Sequence, residues 1–131
     1  MILADTNILL RLFLRDDPAQ FRAVERWLDR ARESRTKCLV HTAAVAETVW
    51  VLQLKGWTRE AIVDALLELC ASDQFQLLEL EMVKTALAFY LEGRVSFIDA
   101  CQAAYVTEHG FKGILSFDRD FDGLGVKRIG P

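Results

Sequence analysis

Short apolar runs alternate along this chain with segments of helical period, and that alternation restricts the architecture more than any other feature. Met1-Ile2-Leu3-Ala4, Cys38-Leu39-Val40, Phe75-Gln76-Leu77-Leu78 and Gly113-Ile114-Leu115-Ser116-Phe117 are all of strand length, and Val126 to Ile129 is a short fifth candidate. Runs that are apolar on both faces suit a parallel sheet covered on both sides. The intervals between the first four are long enough for a crossover helix. The expectation is an α/β fold: one domain over residues 1–131, with a central parallel sheet and helices on both faces. Ligands in such folds bind outside the carboxyl ends of the strands.

The helix boundaries are marked in the sequence. Asp17-Pro18 reads as an N-cap followed by proline at the first helical position, opening a helix to Glu33. Thr42 is expected to cap a helix ending before Gly56, and Thr58 one ending near Ala71. A further helix is expected from about Glu81 to Leu91. Ser96 followed by Asp99 has the form of a capping box, and Gly110 ends the helix it opens. His109, near that end, is expected to partner a helix carbonyl.

Composition excludes several classes. Hydrophobic residues make up 52% of the 131 and charged residues 27%, so the chain folds. No run approaches the ~18 apolar residues of a membrane span. No basic segment precedes an apolar one at the start, so a cytoplasmic location without membrane contact is expected. Cys38, Cys70 and Cys101 are scattered among apolar neighbours and are expected to be buried free thiols. A net charge of −3 does not suit nucleic-acid binding by phosphate neutralisation alone. Positive charge would have to come from elsewhere, such as a bound divalent ion.

Four of the 19 acidic residues lie outside charged surface patterns. Asp5 and Asp118 each close an apolar strand. Glu47 sits in Ala43-Ala44-Val45-Ala46-Glu47-Thr48-Val49-Trp50-Val51-Leu52, a helix without an evident polar face, and Asp99 lies in a helix poor in charge. Each has an alternative use: Asp5 as an N-cap, Asp99 as part of the box, Asp118 as a turn acid. Glu47 has the weakest alternative, because no basic residue lies within one turn of it. Carboxylates buried together repel one another unless paired with bases or with a shared cation. An oxygen-only ligand set suits Mg²⁺ or Mn²⁺, and His41 and His109 are not spaced for a metal triad. With no serine or cysteine nucleophile beside a histidine base, metal-activated water is the expected nucleophile, acting on a phosphodiester. Thr6, Asn7 and Ser116 lie next to two of the acids and are expected to orient them or bound water. Arg11, Arg15, Arg94 and Arg119 are candidate phosphate contacts. The apolar face of residues 8–14, with Trp50 and Trp57, is a candidate surface for a dimer or a partner.

Taken in order, these segments resemble the motifs of the PIN-domain ribonucleases. Asp5-Thr6-Asn7 resembles the opening motif, Thr42 to Val49 with Glu47 the second, and Phe97-Ile98-Asp99-Ala100 the third. Ser116-Phe117-Asp118-Arg119-Asp120-Phe121 resembles the fourth, with serine where threonine is common. Small chains of this kind are similar to the VapC-type toxins of toxin–antitoxin pairs. The resemblance implies strand order 3-2-1-4-5 and a Mg²⁺- or Mn²⁺-dependent endoribonuclease acting on RNA. It also implies a homodimer and a VapB-type antitoxin. Asp5, Glu47, Asp99 and Asp118 are then the catalytic and metal-holding acids, with Asp120 or Asp122 as an alternative fourth ligand. Two competing functions stay open: a non-catalytic PIN-like binding module, and a magnesium-dependent phosphatase. The latter lacks the second aspartate it would want two residues after Asp5.

Overall fold

A computed structural model describes residues 1–131. The backbone forms two compact units, Met1–Leu78 and Glu79–Pro131.

The first unit holds β1 (Ile2–Leu3), α1 (Thr6–Leu14), α2 (Pro18–Glu33), β2 (Cys38–Val40), α3 (Thr42–Leu54), α4 (Arg59–Cys70) and β3 (Phe75–Leu77). Its strands are all parallel, in the order β1-β2-β3, with Ile2 beside Cys38 and Cys38 beside Phe75. The ladder continues past β1, where the Ala4 amide donates to the Leu39 carbonyl at 2.8 Å. Leu9, Val40, Val45, Val49, Leu52, Ile62 and Leu66 are fully buried and form the core of this unit.

Local chemistry explains the helix starts. Asp17 Oδ1 accepts the Gln20 amide at 3.0 Å at the head of α2, and Thr58 Oγ1 accepts the Ala61 amide at 3.1 Å at the head of α4. Both caps match the sequence. The head of α3 does not: His41 is the N-cap, its Nδ1 accepting the Ala43 amide at 2.9 Å, and Thr42 is already the first helical residue. A ring nitrogen with a free lone pair performs the acceptor role that serine or aspartate usually fills.

The second unit holds α5 (Leu80–Leu91), α6 (Phe97–His109), β4 (Ile114–Leu115), a 3₁₀ turn (Arg119–Gly123) and β5 (Arg128–Ile129). The strands β4 and β5 pair in parallel. The two sheets therefore carry 3-2-1 and 4-5, each a run of the expected order. Helices α5 and α6 pack through Val83, Ala86, Leu87 and Tyr90 on one and Phe97, Ala100, Ala103 and Ala104 on the other, all buried. The Tyr90 and Phe97 rings meet edge-on at 5.8 Å. Gly110 ends α6 with φ of 66°, a left-handed conformation that glycine adopts without strain. At Gly113 a side chain would collide with the Lys127 carbonyl, so the approach of β4 to β5 requires glycine.

Three expectations about burial are corrected. The β1 run is not enclosed, since Ile2 is 49% and Leu3 64% exposed. Helix α3 is apolar almost all round yet not buried all round: Val45, Val49 and Leu52 face inward, while Ala43, Glu47, Trp50 and Leu54 form an exposed stripe. Of the three free cysteines only Cys38 is buried, and Cys70 and Cys101 are half-buried. Burial of the Cys101 sulfur, with the nearby Glu79 charge as a lesser cause, pushes its thiol up to about 12. A raised thiol stays protonated through neutral pH, and the thiolate is the reactive form. Iodoacetamide should therefore label Cys101 much more slowly in the native protein than in the urea-unfolded chain between pH 7 and 9. Peptide mapping that found equal rates would contradict that placement.

Candidate active site

The first unit brings two of the four acids, Asp5 and Glu47, to one concavity at the ends of β1 and β2. Leu3 stands beside Leu39, and Asp5 and His41 each follow two residues later in the sequence. Each is the residue at which its strand gives way to a helix. Asp5 is the N-cap of α1 and His41 of α3. The positive dipole ends of both helices thus lie at the carboxyl edge of the sheet. One turn and a half into α3, Glu47 lies on the same side.

Asp5, Thr6, His41, Ala43, Ala44 and Glu47, with Leu3 and Ala4, line one open concavity of about 290 Å³. Two carboxylates and an imidazole face the same solvent-filled space. Asp5 and Glu47 are both exposed. Glu47 carries no burial cost, contrary to expectation, because α3 exposes the face that carries it. As expected, neither Asp5 nor Glu47 has a basic partner among the ion pairs of the structure, which join Arg11 to Asp16, Arg32 to Asp29, Lys84 to Glu81 and Arg128 to Asp122. The cap made by Asp5 is long, 3.4 Å from Oδ2 to the Asn7 amide. Most of the acceptor capacity of both carboxylates is uncommitted. Asn7 is exposed, and its amide is the group that meets Asp5. Thr6 is 6% exposed, packed beneath the concavity.

Asp99 and Asp118 belong to the second unit. Asp99 is half-exposed in the first turn of α6, where Ser96 Oγ accepts its amide at 3.1 Å. Asp118 is exposed and caps the 3₁₀ turn, its Oδ1 accepting the Asp120 amide at 2.9 Å. Ser116 Oγ in turn accepts the Asp118 amide at 2.9 Å, an arrangement that fixes the start of the turn. Asp122 is engaged by Arg128 Nε at 2.8 Å. Asp118 and Asp120 keep carboxylates free of any base, and Asp122 does not.

Two of the arginines named from sequence are committed locally. Arg11 pairs with Asp16 at 3.3 Å, and Arg15 lies 4.8 Å over the Phe21 ring. Arg94 and Arg119 are exposed. His109 Nδ1 meets the Tyr105 carbonyl at 3.1 Å, the helix-end role expected of it. Trp50 is 60% exposed and Trp57 half-buried, so only Trp50 presents a surface of the kind expected.

A divalent ion fits the donor set in the first unit. Neither unit gathers three or more His, Cys, Asp or Glu side chains into a ligand group. A pair of uncommitted, solvent-facing carboxylates is nonetheless a normal protein complement for Mg²⁺, which keeps several of its waters.

The sequence model of the PIN domain matches residues 2–127. The chain belongs to the PIN-domain family. Among curated proteins this PIN domain is similar to the VapC ribonuclease of Aquifex aeolicus (strain VF5), 27% identical over 133 residues that cover 100% of this chain and 97% of that protein. Among solved structures it is similar to VapC20 of Mycobacterium tuberculosis, described as a toxin that cleaves the sarcin-ricin loop. That likeness has 21% identity, covers 100% of both chains and gives a TM-score of 0.41. No helix of this PIN domain is long and apolar enough to cross a membrane.

His41 was missed in the sequence as a residue of this concavity. The sequence reading treats it only as a member of a histidine metal triad that the spacing does not allow. The available signal was its position directly after a strand and directly before a helix, parallel to that of Asp5.

Proposed function

We propose that this PIN domain is a divalent-cation-dependent endoribonuclease of the VapC toxin class. The observation that carries the reading is the pair of base-free carboxylates, Asp5 and Glu47, in one concavity at the carboxyl edge of a PIN-family sheet. These two acids would hold Mg²⁺ or Mn²⁺, with Asp99 and Asp118 as the further catalytic acids that the family motifs assign. The ion would supply Lewis-acid polarisation of a phosphodiester and lower the pKa of a bound water.

The protein's own residues do the rest. Asp5 and Glu47 give the site its negative charge, so RNA binding depends on the cation that offsets it. The positive dipole ends of α1 and α3 would favour a phosphate at the carboxyl edge of the sheet. Thr6 and Asn7 keep the α1 start, and hence Asp5, in place, and Ser116 does the same for Asp118. Asp118 is the fourth acid of this reading; of the two alternatives, Asp120 is free of a base and Asp122 is tied to Arg128.

As a VapC-class toxin, the chain would act as a homodimer in the cytoplasm and be held inactive by a VapB-type antitoxin. The similarity to the Aquifex aeolicus protein supports that class.

The test is cleavage of total cellular RNA by the purified protein. Cleavage is expected in Mg²⁺ or Mn²⁺, with loss in excess EDTA and recovery when Mn²⁺ is restored. Asp99→Asn and Asp118→Asn should each abolish it, whereas Asp122→Asn should leave it. Cleavage that persists undiminished in EDTA would overturn the reading.

A further inference from the structure

His41 is an unusual choice for a helix cap. Serine, threonine, aspartate and asparagine supply the same acceptor with a smaller side chain. Capping alone therefore does not account for an imidazole here, in an exposed position lining the same concavity as Asp5 and Glu47. The cap also decides the chemistry of the ring. Nδ1 accepts the Ala43 amide at 2.9 Å, so it carries a lone pair and the proton resides on Nε2. The group that His41 can offer a ligand in the concavity is accordingly an N–H donor.

The concavity shared with Asp5 gives that donor a purpose. The concavity's other polar side chains are two carboxylates and the Thr6 hydroxyl, and a phosphodiester approaching two acids needs donors on the protein side. We propose that His41 is a substrate-contacting residue whose Nε2–H donates to a phosphate oxygen of the bound RNA, while the Nδ1 cap fixes the tautomer and holds the ring in place. The inference rests on the nuclease reading above and goes beyond it by giving a role to a histidine outside the acidic motifs.

Two substitutions separate the donor from the cap. Asparagine places an acceptor where Nδ1 stands and has nothing at the Nε2 position. Glutamine reaches the Nε2 position with an amide N–H and loses the short-range cap. His41→Asn should melt close to the wild type yet lose roughly 10–100-fold in kcat/KM on a single-stranded oligoribonucleotide in Mn²⁺, the span of one hydrogen bond to a charged group. His41→Gln should melt several degrees lower and retain more kcat/KM than His41→Asn. A residue that only capped the helix would give the reverse, with activity following melting temperature. That pattern, or a His41→Asn protein as active as the wild type, overturns the proposal and leaves the nuclease reading standing. A wild-type protein that cleaves no RNA under these conditions overturns both.

Discussion

Replacing Asp5 with asparagine should lower RNA cleavage by on the order of 10³-fold or more, about 4 kcal/mol of transition-state stabilisation, while the protein stays folded. The structure explains why the two effects separate. Asp5 is the N-cap of α1, and asparagine caps as well as aspartate does. The side chain is exposed, so no core contact is lost. The substitution removes one negative charge and one anionic ligand oxygen from the concavity shared with Glu47. Asp17→Asn is the control, because it makes the same chemical change at the cap of α2, outside the concavity. The measurement is the initial rate of cleavage of a labelled RNA in Mn²⁺, alongside circular dichroism of each variant. An Asp5→Asn protein with wild-type activity would remove Asp5 from the mechanism.

The second large effect is on stability. Leu52→Ala should destabilise the protein by about 2–5 kcal/mol, a large share of the roughly 5–15 kcal/mol that holds a typical domain folded. Leu52 is fully buried on the inner side of α3, in line with Val45 and Val49, which are equally inaccessible. Truncation leaves a cavity in a close-packed site and loses the transfer free energy of the removed methyl groups. Trp50→Ala, two residues away on the same helix, should change stability by no more than about 0.5 kcal/mol, since Trp50 is 60% exposed. Urea denaturation of the two variants tests the sidedness of α3. Equal losses would mean that Trp50 is covered in solution. Because α3 carries Glu47 and starts at the His41 cap, the Leu52→Ala protein should also lose cleavage as it approaches its unfolding transition.

Much of this arrangement was legible in the sequence where local chemistry decides it. Asp17-Pro18, Thr58 and Ser96 announce helix starts because their side chains do the capping themselves. Gly110 announces a helix end because the backbone there is left-handed. The four acids stood out by their neighbours, and Asp5 and Glu47 do line one concavity.

What failed were inferences that pass from composition to burial. Helix α3 is so apolar that Glu47 looked trapped, but a helix can be hydrophobic all round and still leave Trp50 and Leu54 in solvent. Nothing in a single sequence says which side of such a helix is covered. The α3 cap was misplaced by one residue because threonine is the commoner cap and histidine's lone pair is easily overlooked. The start of α5 carries no signal at all: Glu79 adopts a left-handed conformation with φ of 52° and makes no side-chain cap. The fourth and fifth strands came out shorter than their apolar runs, two residues each, because strand length is set by pairing partners as well as by pattern.

The central claim is that Asp5 and Glu47 hold a divalent cation on which RNA cleavage depends. Calorimetric titration of Mn²⁺ into the wild type and into Glu47→Gln, at neutral pH and without RNA, tests it most directly. Glu47 is exposed and caps nothing, so its loss changes the donor set and leaves the fold alone. Saturable Mn²⁺ binding by the wild type is expected, with binding at least roughly tenfold weaker in the variant. Equal Mn²⁺ affinity in the two proteins, or no binding by either, would contradict it.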